Sequence, residues 1–160
     1  MELYSYSVLP TNFCDYLINL YETDASNHER VDNQSKPTFT QLNLNKYHAN
    51  VVSNLCNYFT IAIDFFKKDV PQAKYLPSVK YLEEFRIKKY EVGGEDRFDE
   101  HVDVVNYQSS RRCLAMLFYL NDIDFGGKTV FPYQNKEFTP KKGNVIIFPP
   151  TWEYPHLGEP

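Results

Sequence analysis

Of the four histidines in the sequence, two stand where they could work with a carboxylate. His101 and Asp103 flank Val102, so on an extended strand the imidazole and the carboxylate project to one side and the valine to the other. His156 follows after enough chain for several strands to fold back. Two imidazoles and one carboxylate, with positions left open opposite them, make the donor set that holds non-heme Fe(II). The vacant positions leave room for a chelating co-substrate and dioxygen. The same donors also bind Zn, Mn, Co or Ni, so spacing alone does not name the metal. A plainer reading stays open beside this one: Glu95, Asp96, Asp99 and Glu100 surround His101, which could be a surface residue in a solvated acidic run.

The elements that would position these residues fall into two halves. Phe13, Tyr16, Leu17, Leu20 and Tyr21 form one apolar stripe, which predicts a helix over 11–21 capped by Thr11 or Asn12. Residues 24–40 are polar and read as an exposed loop. Val51, Leu55, Tyr58, Phe59, Ala62, Ile63 and Phe66 repeat the helical spacing, predicting a helix over 51–68 that Pro71 and Pro77 end. From Phe85 the period becomes two, with Phe85, Ile87 and Lys89 alternating with Arg86, Lys88 and Tyr90. Val102 and Val104, then runs at 113–120, 129–131 and 145–148, read as short strands. Gly93-Gly94, 124–127 and 142–144 supply the turns between them. Helices first and many short strands after predict an α+β domain whose second half suits a sandwich, barrel or jelly roll.

Composition narrows the classes. A chain of 160 residues with 42% hydrophobic content supports one domain with a real core. Its division is expected near residue 78, with helical support over 1–78 and the strand-rich core over 79–160. Seventeen basic against 21 acidic residues leave a net charge of −4, which argues against a nucleic-acid partner. Cys14, Cys56 and Cys113 form no CxxC, so neither a zinc knuckle nor a disulfide framework is indicated. The opening residues lack a basic start with a long apolar run, and no apolar stretch approaches the ~20 residues of a membrane span. A soluble, cytoplasmic protein without a membrane partner is expected.

An ordered series of segments carries a family resemblance. Phe85 to Gly94 ends in Tyr90-Glu91-Val92-Gly93, and Phe98-Asp99-Glu100-His101-Val102-Asp103 follows it. Leu117 to Asn121, Phe125-Gly126-Gly127-Lys128-Thr129-Val130-Phe131-Pro132, Lys141 to Pro149 and Trp152 to Pro160 come next, in that order. The series resembles the prolyl 4-hydroxylase-like branch of the Fe(II)/2-oxoglutarate dioxygenases and covers about residues 80–160. That resemblance implies a double-stranded β-helix (jelly roll) core with supporting N-terminal helices. It further implies hydroxylation of a prolyl or other peptidyl side chain, coupled to decarboxylation of 2-oxoglutarate to succinate. Fe(II), 2-oxoglutarate and ascorbate are the implied cofactors, and a peptide or protein and molecular oxygen the implied partners.

Carried over by position, the resemblance makes His101, Asp103 and His156 the metal ligands. It puts Tyr90 in the 2-oxoglutarate pocket and Thr129 near the far carboxylate of that co-substrate, each with a plainer reading as an ordinary core or strand residue. The family's basic partner for that carboxylate lies beyond the distal histidine, and Pro160 follows His156 closely; a piece of a longer chain is therefore expected. Lys128 is a poor substitute, because alternation sends it away from Thr129. A non-catalytic metal-binding jelly-roll module lacking the 2-oxoglutarate anchor is the alternative, and a zinc hydrolase is less supported, there being no HExxH. Cys113 is expected to be a core thiol, Trp152 a rim or core ring, and His28 and His48 structural or solvent-facing. Arg111-Arg112 reads as an anion guide or, more plainly, a solvated strand edge. Residues 24–40 and 104–112 are the candidate substrate-gripping loops.

Overall fold

The computed structural model describes residues 1–33 and 37–160. In chain order the elements are strand β1 (Tyr4–Ser7), helix α1 (Thr11–Thr23), β2 (Glu29–Asp32), β3 (Thr38–Asn43), α2 (Leu44–Tyr47) and α3 (Ala49–Asp69). Then come β4 (Arg86–Lys89), β5 (Phe98–His101), β6 (Ala115–Phe118), β7 (Thr129–Phe131), β8 (Lys136–Phe138), β9 (Asn144–Phe148) and β10 (His156–Gly158). Among the described residues the strands make three antiparallel sheets, ordered β1-β9-β6, β5-β10-β7-β8 and β2-β3-β4.

The first two sheets enclose the jelly-roll core. Ile146 and Phe148 of β9 face inward to Phe131, Phe138, Leu3 and Tyr154, while Val145 and Ile147 face outward to Ala62 and Phe66 of α3. Both faces of β9 are therefore covered, which is why its sequence is an unbroken apolar run rather than an alternation. Leu17 and Tyr21 of α1 and Val51 and Leu55 of α3 pack with Leu42 of β3, and Phe85 and Ile87 join this second core. That packing fixes which face of β4 is turned away from the helices: the face of Arg86, Lys88 and Tyr90.

Both predicted helices form, each slightly longer than expected. The cap of α1 differs: its N-cap is Pro10, without a side-chain cap, because Thr11 is already helical. The loop expected over 24–40 is instead a short 3-10 turn at Ala25–Asn27 followed by β2 and the start of β3; residues 34–36 of that prediction lie outside the described residues. Its polarity misled because β2 half-buries only alternate positions and pairs its outward Arg30 with Asp96 at 2.6 Å. Residues 1–78 thus carry three strands as well as helices, and β1 joins the jelly-roll sheet by pairing with β9 from Tyr4↔Ile147 to Ser7↔Asn144. Val102 and Val104 lie outside strands, since β5 ends at His101. Cys113 is exposed ahead of β6, not a core thiol, and Trp152 is 78% exposed, not a core ring.

Candidate metal centre

His101 and His156 meet because β5 and β10 are antiparallel neighbours in which these two residues are direct cross-strand partners. Their rings stand 4.2 Å apart between centroids. Asp103 lies two residues past His101, in a loop that the Pro150 carbonyl holds by accepting from the Asp103 and Val104 amides at 3.1 and 3.0 Å. Two segments distant in sequence thus deliver three donors to one place. One ligand atom from each of His101, Asp103 and His156 lies within 4.8 Å of the other two. Asp103 stands 3.6 Å from His101 Nε2 and 4.0 Å from His156 Nε2, facing both rings without closing on either.

The imidazoles are oriented for coordination. His101 Nδ1 donates to the Asp99 carbonyl at 2.8 Å, and His156 Nδ1 donates to the Tyr154 carbonyl at 3.1 Å. A carbonyl can only accept, so each Nδ1 carries the proton and each Nε2 lone pair is left for the shared point, as in ligating histidines whose other nitrogen is tied to the protein. Phe98 stacks on His101 at 3.4 Å and 8°, while Phe131 and Phe148 flank His156. Burial, reinforced by the neighbouring His101, pushes the His156 pKa below its ordinary value and keeps the ring neutral. Burial would raise Asp103, but the facing imidazoles of His101 and His156, with the Arg112 charge adding to them, outweigh it and hold the carboxyl below its usual range. His156 is buried while His101 and Asp103 stay partly accessible, so the site opens on one side. Two imidazoles with their Nε2 atoms free and an ionised carboxylate around an open side fit a divalent ion such as Fe(II).

Tyr90 leaves β4 on the face away from the helices and packs against Phe39 at 5.4 Å. The ring is 37% exposed, while the atoms crowded around its phenol push the pKa well up. Thr129 is buried, and its Oγ1 accepts from the Tyr119 hydroxyl at 2.7 Å. Lys128 points the other way, to Glu137 at 2.5 Å.

Sequence reasoning gave no role to Tyr119 or Lys88, and took Arg112 for a solvated edge or an anion guide. Arg112 binds Glu83 through Nε at 2.7 Å and the Asp103 carbonyl through Nη1 at 2.6 Å. Lys88 shares the Tyr90 face of β4, and the period of two in that strand was the signal for it. His28 and His48 lie away from the three donors: His28 stacks on Tyr21 at 3.9 Å, and His48 pairs with Asp24 at 2.6 Å. The candidate loop 104–112 is ordered by Ser109, whose Oγ accepts from the amides of Val105 and Asn106, both at 3.0 Å. It presents Val105 and Tyr107 to solvent.

Residues 85–160 match the family described as the 2OG-Fe(II) oxygenase superfamily. "Probable prolyl 4-hydroxylase 9" of Arabidopsis thaliana is 38% identical over 109 residues, covering 56% of this chain and 37% of the relative. A "Putative prolyl 4-hydroxylase" of Acanthamoeba polyphaga mimivirus is 28% identical over 100 residues, covering 62% and 38%. The chain therefore spans well under half the length of these relatives. Among solved structures, the viral collagen prolyl hydroxylase of Paramecium Bursaria Chlorella virus-1, in its 2OG complex, superimposes with a TM-score of 0.71 at 19% identity, covering 100% of this chain and 88% of that one. A Pseudomonas putida prolyl-4-hydroxylase gives 0.70 at 20%, covering 99% and 84%. These likenesses establish the double-stranded β-helix fold. No helix among the described residues is long and apolar enough to cross a membrane.

Proposed function

We propose that this chain, whose residues 85–160 match the 2OG-Fe(II) oxygenase superfamily, carries the site of a dioxygenase that hydroxylates a prolyl or other peptidyl side chain. The observation that carries the reading is the convergence of His101, Asp103 and His156, with both Nδ1 atoms tied to backbone carbonyls.

His101, Asp103 and His156 would hold Fe(II), with ascorbate as the reductant that keeps it ferrous. Bound there with 2-oxoglutarate, the metal supplies the chemistry by which one atom of dioxygen enters a substrate C–H bond and the other enters succinate as CO₂ is lost. The protein's share is placement. Backbone carbonyls of Asp99 and Tyr154 hold the imidazole planes, and the Pro150 carbonyl and Arg112 hold the carboxylate's loop. Phe98, Phe131 and Phe148 keep water from the backs of both rings. Tyr90 lines the co-substrate side, and Thr129 with its Tyr119 partner offers hydroxyls deeper in the barrel. The exposed Val105, Tyr107 and Trp152 are candidate contacts for a peptide or protein substrate.

Anaerobic titration of the chain with Fe(II) and then 2-oxoglutarate tests the reading through the visible charge-transfer band of the chelate. A band that disappears in His101→Ala, with succinate released only when 2-oxoglutarate and oxygen are both supplied, is the expected result. Metal bound without the band or succinate would favour a non-catalytic metal-binding module.

A further inference from the structure

Away from the metal centre, helix α3 has an outward face of unusual chemistry. From Ala49 to Ile63 it carries no Asp, Glu, Lys or Arg, in a chain that is 24% charged. The exposed side of a surface helix is ordinarily where charge collects. Here Asn50, Asn54, Asn57, Ile61 and Phe65 follow one another three or four residues apart along that side, all of them exposed. Asparagine is a poor helix former, so three on one face weaken the helix that carries them. Ser53 and Thr60 turn their hydroxyls back onto the Asn50 and Cys56 carbonyls, at 3.3 and 3.0 Å. Among the described residues, the Asn54 and Asn57 amides have no hydrogen-bond partner.

Helix α1 completes the surface. Phe13 tilts against Tyr58 at 5.1 Å, and with Asn54 and Asn57 the two rings line a groove of about 320 Å³. Tyr16 stacks on Phe13 at 6.1 Å and is 45% exposed. A groove and a protruding ring able to fill one thus share a single face. Depletion of charge together with exposed aromatic rings marks the centre of a protein–protein contact. Self-association asks more, since the surface must then complement itself. The chain's net charge of −4 opposes pairing with its own kind, but no charged residue lines this groove. Asp15, beside Tyr16 in sequence, is paired with Lys142 at 2.5 Å. An amide both donates and accepts, so Asn54 and Asn57 can satisfy the same amides on another copy. Asparagine in an otherwise apolar helix seam also sets register.

We propose that the face of α1 and α3 around Asn54 and Asn57 is a two-fold contact between copies of this chain, with Tyr16 the ring each copy seats in the groove of the other. The contact is independent of what the metal centre does. Helix α3 turns Ala62 and Phe66 to the outer face of β9, while Phe148 on the inner face of that strand flanks His156. Pairing through the outward face of α3 therefore leaves both candidate metal centres open. A contact of two helix faces is at or below the roughly 800 Å² per partner of a standard interface, which places the dimer in the micromolar range.

Sedimentation of the whole chain, from micromolar to several hundred micromolar, measures the mass directly. The expected result is a rise from 18.9 kDa towards twice that value. Asn54→Asp with Asn57→Asp places like charges on the two copies and should weaken association about a hundredfold or more, as should Asn54→Lys with Asn57→Lys. Mixing the acidic and basic doubles should restore a dimer, which a merely destabilised helix would not do. Tyr16→Ala should weaken association by about tenfold or more. Melting temperatures report the fold of each variant. Should the doubles melt early, Ile61→Glu and Ile61→Lys give the same pair of measurements. A wild-type chain that stays at 18.9 kDa throughout overturns the proposal and leaves the groove to a different occupant, such as a neutral saccharide held by amides and rings. A dimer untouched by the doubles overturns it by moving the contact elsewhere. Acidic and basic doubles that are monomeric both apart and together overturn the face-to-face arrangement.

Discussion

Arg112 reaches back across its loop to the Asp103 backbone, donating from Nη1 to the carbonyl at 2.6 Å while its Nε holds Glu83 at 2.7 Å. The contact is to the main chain of a proposed ligand, so it sets where the carboxylate stands without consuming its charge. Arg112→Ala should weaken Mn(II) binding about tenfold, at the lower end of what loss of an outer-shell partner costs. Stability should change by less than about 1 kcal/mol, since the Glu83 pair is exposed. Calorimetry and thermal melts measure the two effects, and unchanged metal affinity would mean that the Pro150 carbonyl alone places Asp103.

Tyr119 gives an alkaline signature. Burial pushes its phenol up to about 12 even though the bond to Thr129 works the other way. The folded form therefore holds its proton where the unfolded chain, near pH 10, has begun to lose it. This contribution to stability is complete below pH 10 and is lost as pH rises from 10 towards 12. Tyr119→Phe should flatten the alkaline limb of a denaturation profile over that window, and Thr129→Val should cost about 1–3 kcal/mol by leaving the hydroxyl without its acceptor. Tyrosinate absorbance during a pH titration reports the same group directly.

At the acid end the relevant group is Asp24, at the end of α1. The hydrogen bond from His48 holds its carboxyl below the ordinary value against some desolvation, with Asn27 helping. A carboxylate whose folded pKa is depressed contributes fully above its unfolded pKa, about 3.9, and the contribution is lost as pH falls through the folded value. Asp24→Asn should be less stable at neutral pH and show a shallower acid limb than wild type. Coincident limbs would show that the pair contributes nothing.

Gly143 turns the chain into β9 at φ +85°, and a Cβ there would lie 2.3 Å from the Leu9 carbonyl oxygen. The approach is close because Val8 and Leu9 both donate their amides to the Gly143 carbonyl, each at 2.9 Å. Gly143→Ala should cost about 2–3 kcal/mol, combining a left-handed backbone with displacement of main-chain atoms. Chemical denaturation reads that cost. A stability equal to wild type would show that the Leu9 segment moves aside freely.

How much of this was legible beforehand can be argued residue by residue. The helices were readable because Leu17, Tyr21, Leu55 and Phe66 recur at the helical period and do bury. Alternation placed Lys88 and Tyr90 on one face of β4, but which face met the helices depended on where α1 and α3 dock. His101 and Asp103 were readable as a pair because they sit two apart; that His156 lies opposite His101 is a matter of register between β5 and β10. Tyr119 looked like part of an apolar run, and only its partner Thr129, delivered by another strand, distinguishes it. Cys113 was misjudged because an apolar neighbourhood in sequence does not say where β6 begins. The short strands β1, β2, β8 and β10 carried too few residues for any pattern to register.

The pairing of β1 with β9 also has a consequence for how the molecule is made. Tyr4 to Ser7 leave the ribosome well ahead of their partners, Asn144 to Ile147, which are synthesised on the order of ten seconds later at usual elongation rates. Through that interval α1 and α3 can pack on the sheet of β2, β3 and β4, while Tyr4 and Tyr6 wait beside an unfilled sheet edge. During translation, that waiting segment is where a chaperone would bind, and a fusion joined ahead of Tyr4 must leave it free to swing back in.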